Sequence, residues 1–270
     1  MEGAPLRQRT SLVRGATDVG SAVAHRLFTV GHRVVLHDDP QPTVSRRTMA
    51  FTDAIFDGRC ELTGVVAVRV DAVEEVVPAA TRRAWIPVVV SLDLAGLLAT
   101  LAPEVMVDAR MRKRERPERQ RGLAPLTIGL GPNFIAGDTV DVVIETAWDD
   151  LGRIIDTGGA RPLAGEPRLL AGHGRERFVY ASVAGVLRST ARIGEPVAAG
   201  DVVAVIGSTP VVAPIAGSIR ALTRDGAPVA AGTKVLEIDP RGEGAVLTLG
   251  ERPSRIADSV LEVVERWTGT

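Results

Sequence analysis

LVRGATDVGSAVAHRLFTVGHRVVLHD, residues 12–38, carries three elements in succession. Leu12–Arg14 is a short apolar run of strand length. Gly20–Val30 places Val23, Ala24, Leu27 and Val30 on one face of a helix. Gly31 stops that helix, and Arg33–His37 returns to a strand. Strand, turn, helix and strand in this order open a parallel α/β sheet. The pattern continues outward. Ile86–Val90 is a third strand, and Asp93 is placed to N-cap a helix carrying Leu94, Leu97, Leu98 and Leu101. Glu104–Asp108 and Asp141–Glu145 are two more strands, and Arg59–Val70 reads as a hairpin turning at Gly64. Residues 1–150 are expected to form one doubly wound parallel domain.

The second half reads differently. Residues 151–176, rich in Gly, Pro and Arg, have no sustained period and are expected to link or wrap. Ala181–Ile206 (ASVAGVLRSTARIGEPVAAGDVVAVI) then superposes on Ala213–Ile238 (APIAGSIRALTRDGAPVAAGTKVLEI) without a gap, and half of the paired positions are identical. Each copy reads strand, turn, Pro-Val-Ala-Ala-Gly turn, strand. Two copies are too few for a solenoid, but they can close into a small sandwich over residues 177–245. Residues 246–270 supply a last helix, with Ile256, Val260, Val263, Val264 and Trp267 at helical spacing.

Composition narrows the function. With 45% hydrophobic and 24% charged residues, the chain is expected to be globular, not disordered. A net charge of −1 provides no bulk field toward nucleic acid or acidic lipid. All basic residues but Lys113 and Lys234 are Arg, which leaves little lysine for carrier or Schiff-base chemistry. Cys60, the single cysteine, cannot form an internal disulfide. The start MEGAPLRQRT has no apolar signal region, and the apolar window Ala84–Ala102 is broken by Pro87, Ser91 and Asp93. A cytoplasmic protein with no membrane or nucleic-acid partner is the expectation, and a homo-oligomer stays open.

Three segments carry the candidate chemistry. Val13–Gly20 (VRGATDVG) lies where the first strand turns into a helix. A dinucleotide-binding turn sets G-x-G-x-x-G there, so that backbone N–H groups and the helix dipole meet a pyrophosphate. Gly15 and Gly20 match the outer positions, Thr17 stands at the middle one, and Ala16 and Asp18 lie between. Asp38, ending the second strand, is where an acid would hold a ribose hydroxyl. The first domain is therefore expected to be Rossmann-like, with NAD(P) or another nucleotide as ligand. The alternative is a nucleotide-like fold whose turn binds nothing, or something smaller.

Asp108–Arg121 (DARMRKRERPERQR) follows a strand, at the sheet edge where open α/β folds bind ligands. Asp108, Arg110 and Arg112 are its candidates; against them stands a solvated loop diluted by Glu115 and Glu118. Gly129-Leu130-Gly131-Pro132-Asn133 is either an anion cradle, with Gly129, Gly131 and Asn133 contributing, or a plain turn. The histidines share no ligand spacing, and there is no nucleophile elbow. No catalytic residue and no metal site are assigned. Cys60 reads as a bystander.

Two resemblances add expectations. VAAGDVVAVIGSTPVVAPIAGSIRAL resembles a biotinyl/lipoyl-type barrel-sandwich, although the hairpin Gly207–Pro210 has no lysine, so neither biotin nor lipoate is expected. The segments VRGATDVGSAVAHRL, VVLHDDPQPTVSRRTMAF, PEVMVDARMRKR, APLTIGLGPNFIAGDTVDVVIET, DLGRII and DGAPVAAGTKVLEIDPRG together resemble the YqeB-like accessory family of selenium-dependent molybdenum hydroxylases. That family is related to the xanthine and carbon monoxide dehydrogenase maturation factors. Asn133 departs from it, standing where a second Gly is usual, as does the stretch Ala147–Asp150. The resemblance implies an accessory or maturation protein, with a molybdenum hydroxylase as client and a molybdenum cofactor as cargo. The rival expectation is an NAD(P)-dependent oxidoreductase or a nucleotide-dependent cofactor-modifying enzyme.

Overall fold

β1 (Thr10–Arg14), α1 (Asp18–Thr29) and β2 (Arg33–Asp38) form where the hydrophobic alternation places them. They belong to a computed structural model that describes residues 7–42, 44–91, 93–112, 115–162, 167–242 and 248–269. The sheet is completed by β3 (Arg59–Leu62), β4 (Val65–Val70), β5 (Ile86–Val90), β6 (Val105–Asp108) and β7 (Leu126–Leu130). After the short β8 (Ile135–Ala136) come β9 (Val142–Ile144) and β10 (Ile154–Ile155); β11 (Gly158–Gly159) pairs with β8 in a separate ribbon. The nine strands lie in the order β10-β9-β7-β6-β1-β2-β5-β4-β3.

The central strands from β9 to β4 run parallel. The middle strands β1, β2, β6 and β7 are covered on both faces, which is why Val34–Leu36 and Val105–Val107 read as unbroken apolar runs. One face packs Leu12, Val35, Val89 and Met106 against Val76 and Ala79 of α3 (Val73–Arg82) and Leu97 and Leu101 of α4 (Leu94–Leu101). The short α2 (Asp53–Asp57) follows β2. α1 buries Val23 and Leu27 and packs along α5 (Glu251–Arg266), which buries Ile256, Val260 and Val264. Each fully buried aliphatic side chain of this kind contributes about 1.5–3 kcal/mol.

The expected fold class, a Rossmann-like parallel sheet plus a separate biotinyl/lipoyl-like barrel-sandwich, is corrected here. The sheet is mixed, because both edges are antiparallel. Thr63 and Gly64, both at positive φ, fold β3 straight back onto β4. Between β9 and β10 the connection is too short for a parallel crossover, which needs a dozen or more residues. Among the described residues, no helix covers the crossovers from β6 to β7 or from β7 to β9.

The all-β part is not a separate appended module either. The chain divides into two compact units: Met1–Pro40, Ala50–Ala164 and Glu251–Thr270 in one, Gln41–Met49 and Gly165–Gly250 in the other. The second unit thus recruits a segment that follows β2. Within it, Leu222 N–H donates to the Ser45 carbonyl at 2.8 Å.

The second unit contains β12 (Phe178–Tyr180), β13 (Gly185–Arg188), β14 (Pro196–Val197), β15 (Val202–Ile206), β16 (Thr209–Val212), β17 (Gly217–Leu222), β18 (Pro228–Val229) and β19 (Lys234–Asp239). They form two four-stranded antiparallel sheets, β12-β19-β17-β14 and β16-β15-β13-β18. The repeat copies are interleaved: β14 of the first pairs with β17 of the second, and β18 of the second with β13 of the first. Leu187, Val203 and Ile206 from one copy and Ile219, Leu222, Val235 and Ile238 from the other share one core. Gly217 sits where a Cβ would lie 2.4 Å from the Asp239 carbonyl oxygen, so only glycine fits. Among the described residues no helix is long and apolar enough to cross a membrane.

Candidate functional site

The first unit brings three of its charged sequence candidates, Asp108, Arg110 and Arg112, together at the carboxyl end of β6, beside the end of β1. These strands are neighbours, and Arg14 pairs in register with Asp108. Asp108 is 2% exposed. It accepts from the Arg110 backbone N–H at 3.1 Å, from Arg110 Nε at 3.1 Å, and from Arg110 Nη2 and Gln120 Nε2. Arg14 Nη1 lies 3.8 Å away. Burial pushes the Asp108 carboxyl up, but these donors outweigh it and hold the group below the usual carboxylate range.

Glu118 completes the cluster. Its Oε1 accepts from Arg14 Nη1 at 3.0 Å and Arg110 Nη2 at 2.6 Å, and its Oε2 from Arg112 Nη2. The two arginines on the loop outweigh desolvation and keep Glu118 ionised far into acid. Arg14 is 7% exposed at its side chain, and its Nε is buried without a hydrogen-bond partner. Burial, and then the neighbouring Arg110, lower its pKa. Beside the cluster a small cleft is lined by Asp108, Met111, Arg112, Pro117, Leu130, Pro132 and Phe134. Its lining is charged at Asp108 and Arg112 and apolar at Met111, Leu130 and Phe134.

The Gly15–Gly20 turn borders this cluster, but its glycines answer to the protein's own backbone. Gly15 has φ +104°, and a Cβ there would lie 2.9 Å from Ala109 O and Arg110 N. A Cβ at Gly20 would lie 1.8 Å from Gly15 O. The Gly15 N–H donates to the His37 carbonyl at 2.7 Å. The Ala16 N–H donates to Asp38 Oδ2 at 2.6 Å, and the Ala16 carbonyl accepts from Ser21 Oγ and Thr52 Oγ1. Asp38, nearly buried, takes the Asp39 N–H on its other oxygen. Burial raises its pKa. Thr17 N-caps α1 through backbone alone and leaves its Oγ1 buried and unpartnered; Asp18 opens the helix with Oδ1 3.1 Å from the Val19 N–H.

The Gly129–Asn133 loop is likewise shaped by packing. A Cβ at Gly129 would lie 2.4 Å from the Phe134 ring, and one at Gly131 would lie 2.9 Å from Thr146 Oγ1. Gly131 N–H donates to the Ile144 carbonyl at 3.0 Å, and Asn133 Nδ2 to the Glu115 carbonyl at 2.9 Å. Cys60 donates weakly to the Phe51 carbonyl, and burial pushes its thiol up to about 11, away from reactivity. Among the described residues no group of His, Cys, Asp and Glu could hold a metal ion.

Sequence reasoning missed Arg14, Glu118 and Gln120. A charged residue ending a fully buried strand was the available signal for Arg14. It also missed a second cluster, within the other unit, around fully buried Glu237. Arg46 Nη2 lies 3.0 Å, Lys234 Nζ 2.9 Å and Arg220 Nε 3.3 Å from its carboxylate, and Arg177 pairs with it too. Desolvation opposes ionisation there, but these cations hold Glu237 well below the usual range.

No family model matches the chain. It is 39% identical over 264 residues to "Uncharacterized protein YqeB" of Escherichia coli (strain K12), a match covering 96% of this chain and 48% of that protein. The chain therefore spans about half the length of the curated relative it matches. Solved structures found to be similar include a succinylglutamate desuccinylase/aspartoacylase from Rhodobacter sphaeroides, at 12% identity and TM-score 0.27, covering 86% of this chain and 85% of that one. Another is the product-bound ectoine utilization protein EutE (DoeB) from Ruegeria pomeroyi, at 12% identity and TM-score 0.26, with 86% and 85% covered. At such scores these neighbours carry no activity over to this chain.

The accessory-family expectation is corrected by these findings. The relative is named only as an uncharacterized protein, and no comparison names a molybdenum hydroxylase. The maturation role, the hydroxylase client and the rival oxidoreductase or cofactor-modifying role are withdrawn with it.

Proposed function

We propose that this chain binds a small molecule through an anionic group, at the carboxyl ends of β1, β6 and β7. The observation that carries the reading is the convergence of Arg14, Arg110 and Arg112 beside an apolar wall of Met111, Leu130 and Phe134. Arginine forks are suited to carboxylate and phosphate. Holding a buried guanidinium such as Arg14 next to a second one costs stability, and an apolar replacement is often more stable. Clusters of this kind concentrate at ligand sites. The apolar wall supplies a surface for the uncharged part of the ligand.

Calorimetric titration with small carboxylates, sugar phosphates, NAD and NADP tests the reading, each beside a neutral isostere. The nicotinamide nucleotides belong in the panel because the Gly15–Gly20 turn adjoins the arginines, and Asp38 would repel a 2′-phosphate. The expected result is binding of at least one anion, weakened by salt and by Arg112→Gln, with its neutral isostere inert. If no anion binds better than its isostere, the reading is wrong.

A further inference from the structure

We propose that Glu118 is an internal ligand of the arginine site, standing where the carboxylate of the true ligand sits, so that ligand and Glu118 compete. This rests on the anion-binding reading and specifies it: the ligand group is a carboxylate, and the 115–119 segment must swing away to admit it.

Two carboxylates lie among the three arginines, and they differ in kind. Asp108 is part of the strand end, almost fully buried and pinned by Gln120 as well as by Arg110. Glu118 hangs from a loop, and its side chain is 46% exposed. Its two oxygens are divided between the guanidiniums, Oε1 to Arg14 and Arg110 and Oε2 to Arg112. Both oxygens are thus taken by guanidinium donors, as those of a bound carboxylate would be. Arg14 also keeps a buried, unpartnered Nε at this point, a donor that Glu118 does not reach. Pro117, next to Glu118, lines the cleft together with Leu130 and Phe134. The segment that fills the anion site thus also lines the apolar cleft. Glu115, on the same segment and 3.5 Å from Arg112, leaves with Glu118, so that three guanidiniums then face Asp108 alone. The site then attracts an anion strongly, whereas with Glu118 seated it is close to neutral.

Propionate, a match for the glutamate side chain, is the probe, with propionamide and inorganic phosphate as comparisons. Titration followed by NMR should show Glu118→Gln binding propionate at least 10-fold more tightly than the unchanged chain, with Arg112→Gln abolishing the gain. Hydrogen exchange at 115–119 in the unchanged chain should rise when propionate is added. Glu118→Gln is isosteric and half-exposed, and an unchanged melting temperature confirms that it folds; Glu118→Ser repeats the test if it does not. If the unchanged chain binds anions but Glu118→Gln gains nothing, competition is refuted and the anion-binding reading stands. If phosphate gains and propionate does not, the carboxylate assignment is refuted. If no variant binds any anion, both readings fail.

Discussion

Gly15 and Gly58 both hold positive φ, at 104° and 78°, yet substitution should separate them. Around Gly58 nothing lies within 4 Å of an added Cβ, so Gly58→Ala carries only backbone strain, about 1 kcal/mol. At Gly15 the same methyl meets backbone of the 109–110 peptide, which cannot give way, and the loss should be at least twice as large. Denaturant midpoints of the two variants check this; equal losses would contradict the packing account. Glu237→Gln makes a similar contrast with Glu118→Gln. The first strips the charge that four buried or half-buried cations share and should cost about 3 kcal/mol or more. The second acts on a carboxylate that is 46% exposed, where solvent screens its three arginines, and should cost clearly less than the first. At this scale the sequence was partly legible. Gly15 and Gly20 announced a tight strand-to-helix turn because no other residue tolerates such an approach. Glu118 was hidden because a lone acid in an arginine run reads as dilution, and only the fold shows that three arginines turn toward it.

Among the elements, α4 shows how a local signal survives folding. Asp93 accepts the Gly96 N–H at 2.9 Å, as an N-cap does, so Asp93→Ala should lower stability by about 1 kcal/mol in thermal melts. The repeats were equally legible as strands, since alternation and the Pro-Val-Ala-Ala-Gly turns are local. Their partners were not. The two-residue strands β14 and β18 are too short to signal themselves, and each pairs with the other copy's sheet. A peptide of residues 181–206 keeps only the β13–β15 pairing, so its strand signal per residue in circular dichroism should fall well below that of one spanning 178–239, which holds every strand of both sheets. Equal strand content per residue in the two peptides would contradict the interleaving. The mixed sheet edges escaped the sequence reading for a related reason: direction depends on connection length and turn geometry, and hydrophobic period carries neither.

For the whole molecule, acid is the informative stress. His32 and His37 are held below the usual imidazole range, chiefly by burial, so the stability they lend is complete above about pH 6.5 and is lost as pH falls. Asp108, Glu118 and Glu237 are depressed by their cations, so their contributions are complete above the ordinary carboxylate range and vanish below it. Asp38, raised by burial, works in the opposite sense, but it is one group against several. Stability should fall from pH 7 to 5.5 and more steeply below 4.5. Urea midpoints at pH 7, 5.5 and 4 measure it, and a midpoint that rises on acidification would contradict the assignment.

The path of the chain between its two units has a consequence for how the protein is made. A ribosome delivers residues in order, and many multidomain chains finish one domain before the next emerges. Here Gln41–Met49 emerges well over a hundred residues before β17 and β19, its partners in the second unit. α1 must likewise wait for α5, the last helix, to cover its apolar face. Neither unit can be complete while the chain is still being elongated through residue 250. Stalled nascent chains should stay protease-sensitive throughout until α5 clears the exit tunnel, and then both units should become resistant almost together.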